Sequence, residues 1–206
     1  MDKKVCIVAN GQLSKNQVNL KILKESELVI ACDGAYDKLK LLGLVPDYII
    51  GDMDSIKKLE RVEKSIQIIQ LADQNTNDLQ KALALCEKLE LKEIQIIGIS
   101  GLMDDHMLAN IFILMQYPYL KLSAWTDHGK FSPIWERTEF ESFCGQKVSL
   151  FATDPNLQVT SQNLQYPLDK MKLPHLNSGS LNVSLHNKFS IEIQNGCLLV
   201  YQAHCA

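Results

Sequence analysis

Residues 28–52 read LVIACDGAYDKLKLLGLVPDYIIGD: a short apolar run, a stretch with helical spacing, and a second apolar run. LVIACD and YIIGD are strand-like, being brief, rich in β-branched residues and flanked by turn formers. Between them AYDKLKLLG has helical period, and Gly43 is placed to cap its C-terminus. Working outward, VCIVAN (5–10), IQIIQL (66–71), IQIIGI (94–99) and LKLSAW (120–125) repeat the strand signature. NDLQKALALCEKL (77–89) puts Leu79, Ala82, Leu83, Cys86 and Leu89 on one stripe. This alternation predicts a Rossmann-like α/β fold, a parallel sheet flanked by helices.

After about residue 130 the texture changes. KVSLFA, GSLNVSL, FSIEI and CLLVYQA are short strands separated by TDPN, YPLDKMKLP and NGC, with no long helical pattern. That half predicts an antiparallel β-sandwich. The division is expected in TDHGKFSP (126–133), rich in turn formers, giving an α/β domain over 1–127 and an all-β domain over 128–206. No internal repeat or low-complexity segment interrupts either half.

The chain has 206 residues, 46% of them hydrophobic, enough for real cores in both halves. A formal net charge of -3 with scattered Lys and Arg leaves no phosphate-backbone footprint, so nucleic acid is not an expected partner. The six cysteines form no C-x-x-C pair, and the apolar run in MDKKVCIVANG is too short for a secretory signal. Those features point to a reducing, cytoplasmic compartment. No window approaches the roughly 20 apolar residues that span a bilayer, so a soluble protein without a membrane partner is expected.

Ligands of open α/β sheets bind beyond the carboxyl ends of the strands, and the distinctive polar residues fall there. Asn10 and Gly11 follow the first strand, Asp33 and Gly34 the second, and Asp52, Asp54 and Ser55 the third. Asp73, Asn75 and Asp78 follow the fourth; Gly101, Asp105 and His106 the fifth. One aspartate after a strand is more often an N-cap or turn former than a functional group. Several at one edge repel each other and must be protonated or matched by cations, and the nearby basic residues are too few. Oxygen-only ligands suit Mg²⁺ better than zinc, so Asp52 and Asp54 are read as a Mg²⁺ site. Mg²⁺ held by one or two carboxylates leaves room for a phosphorylated ligand. Helices starting near Asn77 and Asp105 would turn free N–H groups toward it. A nucleotide fits, with Gly98 and Gly101 allowing backbone close to phosphates.

The ordered motifs VANGQL, CDGAY, GLVPDYIIGDMDSI, DQNTNDLQKAL, GISGLMDDHMLANI, TSQNLQYPL and NGCLLV resemble, in sequence and spacing, the thiamine pyrophosphokinase family. The resemblance covers essentially the whole chain and is strongest from 46 to 111. It implies transfer of the pyrophosphoryl group of ATP to the hydroxyl of thiamine, releasing AMP, in a homodimer with active sites between subunits. By the same resemblance Asp52, Asp54 and Asp78 match the catalytic, Mg²⁺-binding acids. Asp33, Ser55, Gly101, Asp105 and His106 fall on the ATP side. Asp73, Gln74 and Asn75 match the loop lining the nucleotide and thiamine sites, and Tyr166 an aromatic position near thiamine. A cationic thiazolium suits acids plus an aromatic face; Trp125 and Trp135 are further candidates, with core packing as their plainer role.

Four departures stand out. Met103 replaces a usual Arg, and His186-Asn187 stands where a Ser-Asn pair faces thiamine. Asn163 and Lys188 replace a Gly and a common acid. A Mg²⁺-dependent phosphohydrolase or phosphotransferase on another substrate is the competing enzyme reading, but its D-x-D would follow an early strand rather than the third. A thiamine or nucleotide sensor that had lost catalysis would relax its metal ligands first, and here all persist.

Overall fold

The computed structural model describes residues 3–13, 16–56, 62–73 and 75–205. They form two compact units, Met1–Ile113 with Tyr119–Asp127, and Leu114–Pro118 with His128–Ala206.

In the first unit the elements run β1 (Val5–Val8), α1 (Gln17–Glu25), β2 (Leu28–Cys32), α2 (Ala35–Leu41), β3 (Tyr48–Gly51), β4 (Gln67–Gln70), α3 (Asp78–Lys88), β5 (Glu93–Ile97), α4 (Asp104–Ile113) and β6 (Lys121–Trp125). The strands lie in the order β6-β5-β1-β2-β3-β4, every adjacent pair parallel. Parallel strands covered on both faces need unbroken apolar runs, and all four residues of β1 are buried. At the edge, β4 exposes Gln67, Ile68 and Gln70. The chain winds outward from β1 to β4, then returns to the other side of β1 with β5. That reversal is the switch point where a doubly wound sheet offers its ligand crevice.

Local chemistry fixes the helices that border this crevice. In α3 the Asn77 side chain accepts from Gln80 N (2.9 Å) while Gln80 Oε1 accepts from Asn77 N (3.2 Å), a reciprocal cap. Leu79, Ala82, Leu83 and Cys86 are buried; Leu89, expected on the same stripe, is the C-cap and is exposed. After α2, Gly43 adopts φ +69° and donates to Lys40 O, the left-handed C-terminal turn that glycine favours. Helix α1 was not anticipated: its buried residues are Asn19 and Leu23, too thin a stripe to read. Cys6, Val8, Ala31, Tyr36, Leu39, Ile49 and Ile97 share one core cluster.

The second unit holds β7 (Gly129–Ile134), β8 (Thr138–Glu141), β9 (Lys147–Ala152), β10 (Gln158–Gln162), β11 (Met171–Lys172), β12 (Gly179–Val183), β13 (Lys188–Ile193) and β14 (Leu198–Ala203). Antiparallel orders β12-β9-β14-β7 and β11-β10-β13-β8 face one another across a shared core that includes Val148, Leu150, Val159, Phe189, Ile191 and Val200. This is a β-sandwich. Most of TDHGKFSP is strand, not turn: β7 pairs with β14 from Gly129↔Ala203 to Ile134↔Leu198. Gly129 there reflects close backbone approach, since a Cβ would strike the Gln202 carbonyl.

Candidate active site

At the end of β3 the chain turns sharply. Met53 takes φ +71° and buries its side chain in the core cluster. A bulky residue there is strained by about 1–2 kcal/mol. Asp52 and Asp54, on either side of it, are joined through Asp54 N→Asp52 Oδ1 (3.2 Å). Ser55 closes the turn, its N–H donating to Asp33 Oδ2 (3.1 Å) and its hydroxyl to Asp54 Oδ1 (2.9 Å). Oxygens of Asp33, Asp52 and Asp54 thereby lie within 4.8 Å of one another. Gly51 makes room for this crowding: a Cβ there would sit 2.8 Å from Asp33 Cβ and 3.2 Å from the Asp78 carboxylate.

The electrostatics are those of a cation site. Burial pushes the Asp33 carboxyl up to about 6, with Asp78 and Asp52 adding repulsion and Ser55 N–H opposing. Asp33 Oδ1 is buried with no hydrogen-bond partner among the described residues. A buried carboxylate oxygen without a donor, beside two more carboxylates, fits a hard divalent cation bound through oxygen. Asp78 is also shifted upward, first by burial and then by Asp52 and Asp54, while Lys81 opposes. Asp78 is outside the three-acid group; its Oδ1 lies 3.1 Å from Lys81 Nζ.

Asp52 and Asp78 line a cavity of about 840 Å³, together with Asn10, Gly11, Ser55, Asn75, Lys81 and His106. Its volume suits a nucleotide-sized ligand. Met103 also lines it and is exposed. Of the other expected ATP-side residues, Gly101 (φ +90°) packs against Gln12, where a Cβ would approach to 2.6 Å, and Asp105 Oδ1 accepts from His106 N at 2.9 Å. Asp73 is engaged locally, accepting from Asn75 N (3.0 Å), Asn75 Nδ2 (2.9 Å) and Thr76 Oγ1 (2.8 Å). These donors hold its carboxyl below the usual range. Asp73 shapes the loop, and Asn75 faces the cavity. Gln74 lies outside the described residues.

Two lysines went unread in the sequence. Lys38 Nζ donates to Asn10 O (2.6 Å), Asn10 Oδ1 (2.7 Å) and Gly11 O (2.7 Å), clamping the turn after β1. Lys81 was legible in principle, since D-x-x-K at the start of a helix puts both side chains on one face.

Comparison with known proteins decides what this geometry belongs to. Residues 20–125 match the model of the thiamin pyrophosphokinase catalytic domain and 129–201 that of its substrate-binding domain. The chain belongs to the thiamin pyrophosphokinase family. A Bacillus subtilis thiamine pyrophosphokinase is 25% identical over 98% of this chain and 99% of its own. Among solved structures, the Bacillus subtilis thiamine pyrophosphokinase superposes with a TM-score of 0.82 at 22% identity, covering 97% of this chain and 98% of that one. The yeast thiamin pyrophosphokinase gives 0.82 at 18%, covering 98% and 86%. This family is one of enzymes that pyrophosphorylate thiamine, and its two domains correspond to the α/β unit and the sandwich.

Within the thiamin pyrophosphokinase substrate-binding domain, the structure explains two departures. Asn163 takes φ +64°, a conformation that asparagine tolerates best after glycine. It also ties down the turn after β12, accepting from Leu185 N (2.9 Å) and donating to Lys188 O (3.1 Å). Lys188 pairs with Glu139 (2.8 Å) and Glu141 (2.9 Å) across β8 and β13. Tyr166 is exposed, its backbone held by the Asn182 side chain at 3.0 and 2.7 Å. His186 and Asn187 sit exposed on the β12–β13 turn. Because Leu164 bridges Ser184 antiparallel, Tyr166 and His186 lie toward opposite ends of that short ladder, roughly 13 Å apart along it. Trp125 is half-buried against the core, its Nε1 donating to Gln95 Oε1 at 2.6 Å, and Trp135 is half-buried after β7.

Proposed function

We propose that this chain transfers the pyrophosphoryl group of ATP to the hydroxyl of thiamine, yielding thiamine diphosphate and AMP, with Mg²⁺ as its resident cation. The observation that carries the reading is the meeting of Asp33, Asp52 and Asp54, with Asp52 lining a nucleotide-sized cavity. Asp52 and Asp54 would hold the cation, Asp33 supplying the buried oxygen beside them and Asp78 facing the phosphates. When bound, Mg²⁺ supplies charge neutralisation along the phosphate chain. The remaining work is positioning, since pyrophosphoryl transfer asks mainly that an incoming hydroxyl lie in line with the phosphorus. Ser55 and His106 flank the nucleotide from the cavity wall. Gly101 and Asp105 shape the approach to α4, and Asp73 and Gln74 with Asn75 form the loop between nucleotide and thiamine. Tyr166, His186 and Asn187 contact thiamine from the second chain of a homodimer. A cytoplasmic location fits the six free cysteines, three of them buried; no helix among the described residues is long and apolar enough to cross a membrane.

Product analysis tests the reading. Purified protein given ATP, Mg²⁺ and thiamine should form thiamine diphosphate and AMP in equal amounts. ADP with thiamine monophosphate, or AMP without a thiamine product, would contradict it.

A further inference from the structure

Lysines rarely lie buried unless paired, and Lys81 is the buried lysine among the described residues of the first unit, its side chain 5% exposed. It lines the large cavity from the first turn of α3, beside Asn77 and Asp78. An ammonium carries three donors. Among the described residues, one hydrogen-bond acceptor stands against Lys81 Nζ, Asp78 Oδ1 at 3.1 Å. Two N–H bonds of a buried cation are therefore left for something that enters the cavity. Asp33, Asp52, Asp54 and Asp78 make the surroundings acidic, so an anionic ligand needs a fixed positive charge in addition to a metal. The first turn of α3 adds the positive end of an eleven-residue helix on the same side.

We infer that Lys81 binds substrate phosphate directly, its ammonium donating to an anionic oxygen of the polyphosphate while keeping its bond to Asp78. This assignment rests on the proposed function for the identity of the polyphosphate. Asp78 then acts as the hinge pin of the contact, holding the ammonium at the cavity wall. A helix-borne lysine suits this task, because α3 is fixed by its reciprocal cap and by its buried stripe, so the charge cannot drift with a loop. The alternative is purely structural: Lys81 neutralises Asp78 and touches nothing else.

A comparison in the Asp78→Asn background separates the two, because that variant has no charge at position 78 to neutralise. ATP binding with excess Mg²⁺ is measured by titration calorimetry for Asp78→Asn and for Asp78→Asn/Lys81→Met, with adenosine as the uncharged control and thermal unfolding as the check on folding. The double variant should bind ATP about tenfold or more weakly than Asp78→Asn, the scale of one charge-assisted hydrogen bond. Adenosine should bind both alike. Equal ATP affinity of Asp78→Asn and the double variant overturns the inference, as does a parallel loss for adenosine or the absence of ATP binding to the folded native protein. If ATP binding depends on Lys81 but no thiamine diphosphate forms, the proposed function fails and the phosphate contact stands. If thiamine diphosphate forms while ATP binding ignores Lys81, the reverse holds.

Discussion

Asp33 follows β2 directly, one carboxylate oxygen accepting from Ser55 N and the other, among the described residues, from nothing. Its carboxyl is raised from 3.8 to about 6, chiefly by burial. An acid with a raised folded value holds its proton more tightly in the fold than in the open chain, so stability is greatest at low pH. That contribution is lost as pH rises from about 4 through about 6. Asp33→Asn removes the penalty while keeping an oxygen that can accept from Ser55. Without metal, the variant should be more stable than the parent at pH 7.5 by about 1–3 kcal/mol, and the gain should vanish near pH 4. Urea unfolding at the two pH values measures this; an equal difference at both would show that the charge is not what is strained. The clustering of Asp52 and Asp54 was legible because two acids after a buried strand have few innocent explanations together. Asp33 was legible only as a nucleotide-edge residue, because its approach to the pair depends on Gly51 and the Met53 turn bringing strand ends together.

Elements differ in how openly they announce themselves. The parallel strands were readable, since burial on both faces demands unbroken runs such as VCIV and YIIG. Helix α3 was readable from its stripe, and Asn77 from its capping position. Strands β8, β10 and β11 were not: TEFE and QVTSQ carry one or two inward residues each, and β11 is two exposed residues. Their pairing comes from partners distant in sequence, as in Val159↔Ile193 and Phe140↔Phe189. At this scale the sharpest prediction concerns the cap. Asn77 accepts from Gln80 N and donates through Nδ2 to Asn110 Oδ1 of α4 at 3.1 Å. Asn77→Ala should lower stability by about 1 kcal/mol and, because the first turn of α3 carries Asp78 and Lys81, raise KM for ATP as well. Chemical unfolding together with steady-state kinetics checks it; a stability loss with unchanged KM would mean that the cap does not position the site.

At the scale of the whole molecule, the acids Asp33, Asp52 and Asp54 meet in the α/β unit, while Tyr166, His186 and Asn187, read as thiamine contacts, are exposed in the sandwich. If each thiamine pocket is completed by a partner chain, Asp52→Asn and Tyr166→Ala should each be nearly inactive as homodimers yet recover activity when co-refolded. Random pairing makes about half the dimers mixed, and each mixed dimer has one intact site, so about a quarter of sites should work. Mixed dimers, verified by differential tagging, with no activity above the parents would place each site within one chain. The most direct test of the account lies in the acids themselves. Initial rates of thiamine diphosphate formation are compared across a Mg²⁺ titration for the native protein, Asp52→Asn and Asp54→Asn, with unfolding transitions confirming intact folds. The account predicts strict Mg²⁺ dependence and rates lower by about a hundredfold or more in both variants. Turnover within about twofold of the native rate in folded Asp52→Asn and Asp54→Asn would contradict it.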